Sequence, residues 1–288
     1  MTVEGEDILF DFTGTAPQLR TSRNVPPGAT LAVIYGVLKS YFDPTLPPNS
    51  GYFRAVEVRL PDGSLLNPEP PAAVGQRAYT CQIISDVLVL ALNQAAPHLA
   101  LAGSGPFLGT TVSGFDRRFG GYFLDHESWA GALGARRGQD GMDGVRVHHS
   151  NAANLPIEVL ESAYPLRVDR YELVEDSGGP GRWRGGLGQR RDIRVLAPEV
   201  EVSLFGERRK FGASGVLGGR DGRTGRFIRN PGKGNDRPLA TEEILRLKVR
   251  GGEVLRVETP GGGGCGDPKD RPREAVIDDV ISRKISPE

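Results

Sequence analysis

The chain has 288 residues, enough for one large domain or two modest ones with a buried core. It has only two cysteines, Cys81 in an apolar run and Cys265 in a glycine run, which excludes a disulfide scaffold. Thirty-six Lys+Arg balance thirty-six Asp+Glu, so there is no global field to draw nucleic acid or anionic lipid, and neither is expected as a partner.

Forty glycines and twenty-two prolines, about a fifth of the chain, predict short strands and tight turns. The expected class is α+β: β-rich, with mixed or antiparallel sheets and a few helices in the N-terminal third. Ile8 to Phe12 reads as a half-buried strand ending at Thr13-Gly14-Thr15. Residues 29–42 place Leu31, Ile34, Leu38 and Tyr41 at helical spacing, and Asp43-Pro44 ends that helix. Val56, Val58 and Leu60 alternate as a strand. Residues 80–96 then carry Ile84, Val87, Leu88, Ala91 and Ala95 on one helical stripe, the expected core face.

The longest apolar stretch, Val87 to Ala102, is interrupted by Asn93, Gln94, Pro97 and His98 and is too short to span a bilayer. No N-terminal stretch has the build of a secretion signal, and with only two cysteines this predicts the cytoplasm. Beyond Gly103 the segments 107–134 and 143–149 are short apolar pieces between glycines. Residues 165–175 form a strand, and 190–206 read as a hairpin turning at Ala197-Pro198. Residues 212–238, rich in glycine, arginine and proline, read as a long surface loop. Alternation resumes through Leu245, Leu247, Val249, Leu255 and Val257. A single body over 1–288 is expected, with subdivisions near 103 and within 212–238.

Two motifs invite specific functions. Asp176-Ser177-Gly178-Gly179-Pro180 has the form of the nucleophile loop of chymotrypsin-like serine proteases. No histidine and aspartate stand upstream in the required context, and a strand-ending turn is the better reading. The run Gly261 to Gly264 suggests a phosphate loop but lacks the Gly-Lys-Ser/Thr ending and the following helix.

The polar segment Asp125 to Glu161 holds three of the four histidines, His126, His148 and His149. As a strand, 145–149 would put His149 on the apolar face with Val145 and Val147. It would then be either a buried core histidine or a general acid/base tuned by burial. A metal set of His149 with Asp140 or Glu158 lacks a diagnostic spacing, so the metal is left unknown. Glu158 and Glu161 share a helix face, with Asn154-Leu155-Pro156 as cap and first turn.

In order along the chain, several motifs resemble the hydantoinase B/oxoprolinase family. Asp11-Phe12-Thr13-Gly14-Thr15-Ala16-Pro17-Gln18 resembles its DFSGTSPQ turn, and Pro48 to Gly51 and Pro70 to Val74 resemble the segments that follow. Gly131 to Arg136, Asp140-Gly141 and Asn151 to Glu161 resemble its GAR, DG and TNxxNxPIExLE motifs. Asp176 to Gly188 resembles SGGxGxxRGGxG, and Pro260 to Pro268 resembles PGGGGYGDP, with Cys265 at the usual aromatic position. The resemblance begins partway through the family pattern and covers its C-terminal part.

It implies part of an ATP-dependent hydrolase of cyclic amides such as 5-oxoproline or hydantoins. In such an enzyme, phosphorylation of the amide oxygen makes an electrophile that water attacks. The implied partners are a hydantoinase A-like ATPase subunit carrying ATP and Mg, the N-terminal half of the B subunit carrying a divalent metal, a small-molecule substrate, and further copies in an oligomer. The chain alone is expected to be inactive. The expected catalytic residues are Asp140, His149 and Glu158, with Asn151, Asn154 and Arg136 binding substrate. A non-catalytic assembly domain and a ketone carboxylase subunit are the alternatives.

Overall fold

A computed structural model describes residues 1–234 and 236–287, which divide into two compact units, 1–100 and 101–288. The first unit opens with β1 (Thr2–Glu4) and β2 (Asp7–Asp11), then α1 (Pro27–Phe42), α2 (Ser50–Phe53), β3 (Val56–Arg59) and α3 (Arg77–Ala95). Its sheet has the order β1-β2-β3, with β2 parallel to β3. Pro27 opens α1, where its missing N–H costs nothing, and Asp43 ends that helix in extended conformation. The buried stripe of α3 is Cys81, Ile84, Ser85, Leu88 and Leu92, and Leu92 is fully covered. Val87 is not part of it: it is 53% exposed, because its direction around the helix points away from that stripe.

The second unit contains β4 (Leu108–Asp116), β5 (Gly121–Trp129), α4 (Ile157–Ala163), β6 (Leu166–Leu173), β7 (Gln189–Val195), β8 (Glu199–Gly206), β9 (Arg226–Arg229), β10 (Leu247–Arg250), β11 (Val254–Glu258) and α5 (Arg273–Ile281). Two antiparallel sheets result, β10-β8-β4-β5 and β6-β7-β11-β9. Ile193, Val195, Leu255 and Val257 of one share a core with Leu108, Val112, Val200, Val202 and Leu204 of the other. The sheets are therefore two layers of one sandwich.

That packing corrects the hairpin expected over 190–206. Both strands exist, but β7 pairs with β6 and β11, whereas β8 pairs with β4 and β10. Ala197-Pro198 carries the chain from one layer to the other. Gly251-Gly252 does the same between β10 and β11, and the two crossings are tied by Gly251 N–H donating to the Pro198 carbonyl. Burying both apolar phases, on either side of the turn, requires the strands to part. The expected surface loop over 212–238 is corrected as well. Residues 226–229 form β9 on the edge of β11, with Phe227 fully buried, and Ala213 is also buried.

Between the strands lies a stack of extended glycine-rich segments with no ladder of their own. Successive amides of the central segment turn through three directions: Gly261 donates to Arg223, Gly262 to Gly186 and Gly263 to Gly103, after which Gly264 donates to Arg220 and Cys265 to Trp183. A partner segment thus recurs every third residue, the period of a polyproline II helix. Left-handed φ is not the reason for these glycines, since Gly261 to Gly264 have none. The reason is room: a Cβ on Gly262 would stand 2.3 Å from the Leu133 carbonyl oxygen, and one on Gly185 2.0 Å from that of Gly262.

Gly262→Ala is therefore expected to abolish cooperative folding of the second unit, a larger effect than the ~1–3 kcal/mol of ordinary overpacking. Gly28→Ala in α1 meets nothing within 4 Å and should be neutral or stabilising by up to about 1 kcal/mol. Urea unfolding of the two variants checks both outcomes.

Candidate functional site

Strand alternation places charged residues inside the sandwich. On β5 the inward phase runs Phe123, Asp125, Glu127, Trp129, and on β7 it runs Gln189, Arg191, Ile193, Val195. Asp125 is 5% exposed, Glu127 7% and Arg191 1%. Across the layers, Arg191 Nη1 donates to Glu127 Oε2 at 3.3 Å, and Trp129 Nε1 donates to the same oxygen at 2.9 Å. The Arg191 guanidinium lies 4.2 Å from the ring centre of Tyr171 and 5.6 Å from that of Trp129.

A bulge in β6 between Val168 and Arg170 shifts the pairing by one residue, so that Tyr171 stands opposite Arg191. Without it, Tyr171 would fall on the outer face. Tyr171 Oη donates to Gln189 Oε1 at 3.1 Å and accepts from Asn154 Nδ2 at 2.8 Å. Asn154 is accordingly not the helix cap that the sequence suggested. Pro156 holds the N-cap position of α4, without a side-chain bond.

Burial raises the Asp125 carboxyl, the Glu127 charge raises it further, and Arg191 opposes both, leaving it at about 6. It is therefore able to exchange a proton near neutrality.

The residues expected from sequence lie in different local environments. Asp140 belongs to an ion-pair hub. Its two oxygens accept from Arg271 Nη1 at 2.9 Å and Nη2 at 2.8 Å, and Oδ1 also accepts from the Arg184 amide. Arg271 and Arg184 continue to Asp279, and Arg184 and Lys284 to Asp143. Burial pushes the Asp140 carboxyl up, but the Arg271 bonds and charge and the Arg184 amide outweigh it and hold it below its ordinary value.

Residues 145–149 are not a strand. His148 and His149 have left-handed φ of 36° and 47°, which turns the chain and leaves His149 exposed while Val147 is buried. The expected apolar-face placement of His149 is thus corrected. Desolvation on its protein side and the adjacent His148 push its imidazole below the ordinary value, so it is largely neutral at pH 7. Glu158 is exposed on α4, while Glu161 Oε1 accepts from the Val168 amide. Asn151 is exposed, and Arg136 lies in an exposed turn closed by reciprocal backbone bonds with Gln139.

Sequence reading grouped Asp125 and Glu127 with the polar cluster and passed over Arg191 and Tyr171. The signal was available as charges in the apolar phase of two strands.

The two tempting motifs resolve structurally. Ser177 is 1% exposed, donates to the Val174 carbonyl at 2.6 Å and accepts from the Gly188 amide at 3.0 Å, so its hydroxyl is committed. The Gly261 to Gly264 amides all donate to backbone carbonyls, which leaves none to cradle a phosphate. Among the described residues no group of three or more His, Cys, Asp or Glu is placed to hold a metal ion, and His149, Asp140 and Glu158 do not form one. Nor is any helix among them long and apolar enough to cross a membrane. The Gly261 to Gly264 run therefore does not fit a phosphate, and His149, Asp140 and Glu158 do not fit a metal set.

Two outcomes test this account. The Asp125 pKa is higher folded than unfolded, so the native state binds the proton more tightly, and stability falls as pH rises from about 4 to about 6 and stays low above. Asp125→Asn should then gain on the order of 3 kcal/mol over the native chain at pH 8 but little at pH 4, as read from thermal melts across pH. Ser177→Ala should cost about 1–3 kcal/mol, since it strands the buried Gly188 amide. The native Ser177 should resist a fluorophosphonate in mass spectrometry.

Comparison with known proteins places these features in context. A sequence profile described as Hydantoinase B/oxoprolinase matches residues 1–268. The chain is 34% identical over 293 residues to a protein of Pseudomonas sp. (strain NS671) named as the B-type component of a D-/L-hydantoinase, covering 99% of this chain and 49% of that protein. It is 35% identical to 5-oxoprolinase 1 of Arabidopsis thaliana, covering 92% of this chain and 20% of the other. The crystal structure of an ATP-dependent caprolactamase from Pseudomonas jessenii superposes with a TM-score of 0.77 at 29% identity, over 95% of this chain and 49% of that one. The chain thus spans about half the length, or less, of these relatives.

Proposed function

The chain belongs to the hydantoinase B/oxoprolinase family, and on that premise we propose that it forms part of a subunit that opens cyclic amides in an ATP-dependent complex. The observation that carries the reading is chemical. Relatives matching 92–99% of this chain are named for hydantoin and 5-oxoproline, and a solved one for caprolactam. These compounds differ in ring size and substituents and share an amide within the ring. ATP and its Mg are assigned to a hydantoinase A-like partner, and a divalent metal to the remaining half of the B-type polypeptide, as membership of the family implies.

What remains for this chain is proton handling and orientation. Opening an amide with water takes a proton from the water and delivers one to the ring nitrogen. His149, exposed and held neutral, can take the first, and Glu158, exposed in the first turn of α4, can relay the second. Asn151 and Arg136 are exposed and can orient substrate oxygens. Asp140 is bound to its arginines and Asn154 to Tyr171, which makes both positioning residues.

In the reconstituted complex, His149→Ala and Glu158→Gln should each lower ATP-dependent ring opening by about a hundredfold with unchanged melting temperature. The purified chain alone should neither turn over ATP nor open 5-oxoproline, a hydantoin or caprolactam. Near-normal rates for both variants would make the 140–161 segment structural.

A further inference from the structure

Arg191 has five N–H donors, and only one side of its fork is used. Nη1 meets Glu127, whereas Nε and Nη2 are buried without a partner. Those two nitrogens form the side-on edge of the guanidinium, the edge that presents parallel N–H bonds to a planar, two-oxygen acceptor. The plane is fixed by Tyr171 on one ring contact, Trp129 on another and Glu127 at its end, so the edge is preorganised. Two further buried atoms without partners belong to the same neighbourhood. They are the Thr110 hydroxyl, whose residue pairs with Glu127 across β4 and β5, and Asn154 Oδ1, on the amide that bonds Tyr171.

We propose that the Nε–Nη2 edge of Arg191 is a receptor for one carboxylate group of a small ligand, with the half-exposed Tyr171 as its lid. Tyr171 lies on β6, an edge strand, and its hydroxyl bonds to Gln189 and Asn154 and its ring contact with the guanidinium hold it in place. A side-chain rotation would uncover Arg191 without breaking a ladder. Charge favours a single carboxylate over a phosphate dianion. Glu127 already balances Arg191, and Asp125 lies on the same inward face, so a phosphate dianion would add two charges to an acidic interior. Asn154 Oδ1 offers an acceptor for an N–H on the same ligand. Resting on the cyclic-amide reading, the ligand is the ring-opened product, since hydrolysis of the amide C–N bond leaves a carboxylate and an N–H group on one molecule.

The test is calorimetric titration of the 288-residue chain with propionate, propionamide, 6-aminohexanoate and inorganic phosphate. Both carboxylates should saturate, and propionamide and phosphate should not. Arg191→Lys keeps the charge but loses the fork and should weaken carboxylate binding by about tenfold or more. Tyr171→Phe, which keeps the ring and frees the lid, should bind at least as tightly as the native chain. Should Arg191→Lys fail to fold, Arg191→Met with Glu127→Gln removes both buried charges together and should fold without binding. No saturable carboxylate binding, equal binding by Arg191→Lys, or phosphate binding as tight as carboxylate would overturn the receptor. Propionate binding that depends on Arg191, with no advantage for 6-aminohexanoate, would uphold the receptor and count against the ring-opened product as its ligand.

Discussion

Backbone-to-backbone packing of glycine segments is the constraint on which the second unit rests. Where side chains are absent, extended segments approach closely enough for each amide to meet a carbonyl of a neighbour, and the threefold turn of Gly261 to Cys265 joins several segments at once. The strands grow out of that stack. β4 begins three residues after Gly105, and β5 ends two before Gly131. β7 begins directly after Gly188, and β11 ends two residues before Pro260. The ends of the strands carrying Trp129 and Gln189, and with them Glu127 and Arg191 two residues on, are thus held by a scaffold with almost no side-chain freedom. The sandwich inherits its register at these points, and its core then closes by ordinary burial of alternating Val, Leu and Ile.

The charged end of the sandwich runs against that burial. Moving a guanidinium and two carboxylates into the interior is costly, and one ion pair at 3.3 Å with two unpaired donors left over is not the arrangement that stability alone would select. Apolar residues of similar volume would fill the space at lower cost. The Arg271 hub has a different character: Asp140, Asp143, Asp279, Arg184 and Lys284 share several short contacts and tie three distant stretches of chain together. Groups that share this many ion-pair contacts hold structure, whereas one with two donors left over and its plane clamped is prepared for a partner. The same contrast separates Ser177, with both hydrogen-bonding roles filled, from Arg191.

How far the sequence speaks for the fold follows from which forces are local. The α+β class with mostly antiparallel sheets, α1, α3, β2, β3, β6 and the separate existence of β7 and β8 are legible because period and capping are properties of neighbouring residues. Which strands pair is decided across the chain. Ile193 and Val200 sit seven residues apart on either side of a turn, yet belong to opposite layers. The stretch 212–238 reads as empty of core because its apolar residues, Phe227 and Ile228 among them, are few and lie among glycine segments that bury backbone. At the site, the charges of Asp125 and Glu127 in the apolar phase of a strand are legible in the sequence. The one-residue bulge that brings Tyr171 to Arg191, and the left-handed turn at His148 and His149, are backbone events that no spacing rule announces.

The stack also sets a temporal order for the molecule. Its segments come from residues 102–105, 131–135, 141–144, 177–188, 213–223 and 261–266, so most of the bonds between them join residues far apart in the chain. The central member is the last to emerge during synthesis. Until residue 266 has left the ribosome, the earlier glycine segments have no common neighbour, and the β-strands attached to them have no fixed ends. Closure of many long loops around one late segment makes for a slow, all-or-none assembly step after translation, with unpaired strand edges exposed in the interval. For a chain of this kind, the hazard lies in the nascent state.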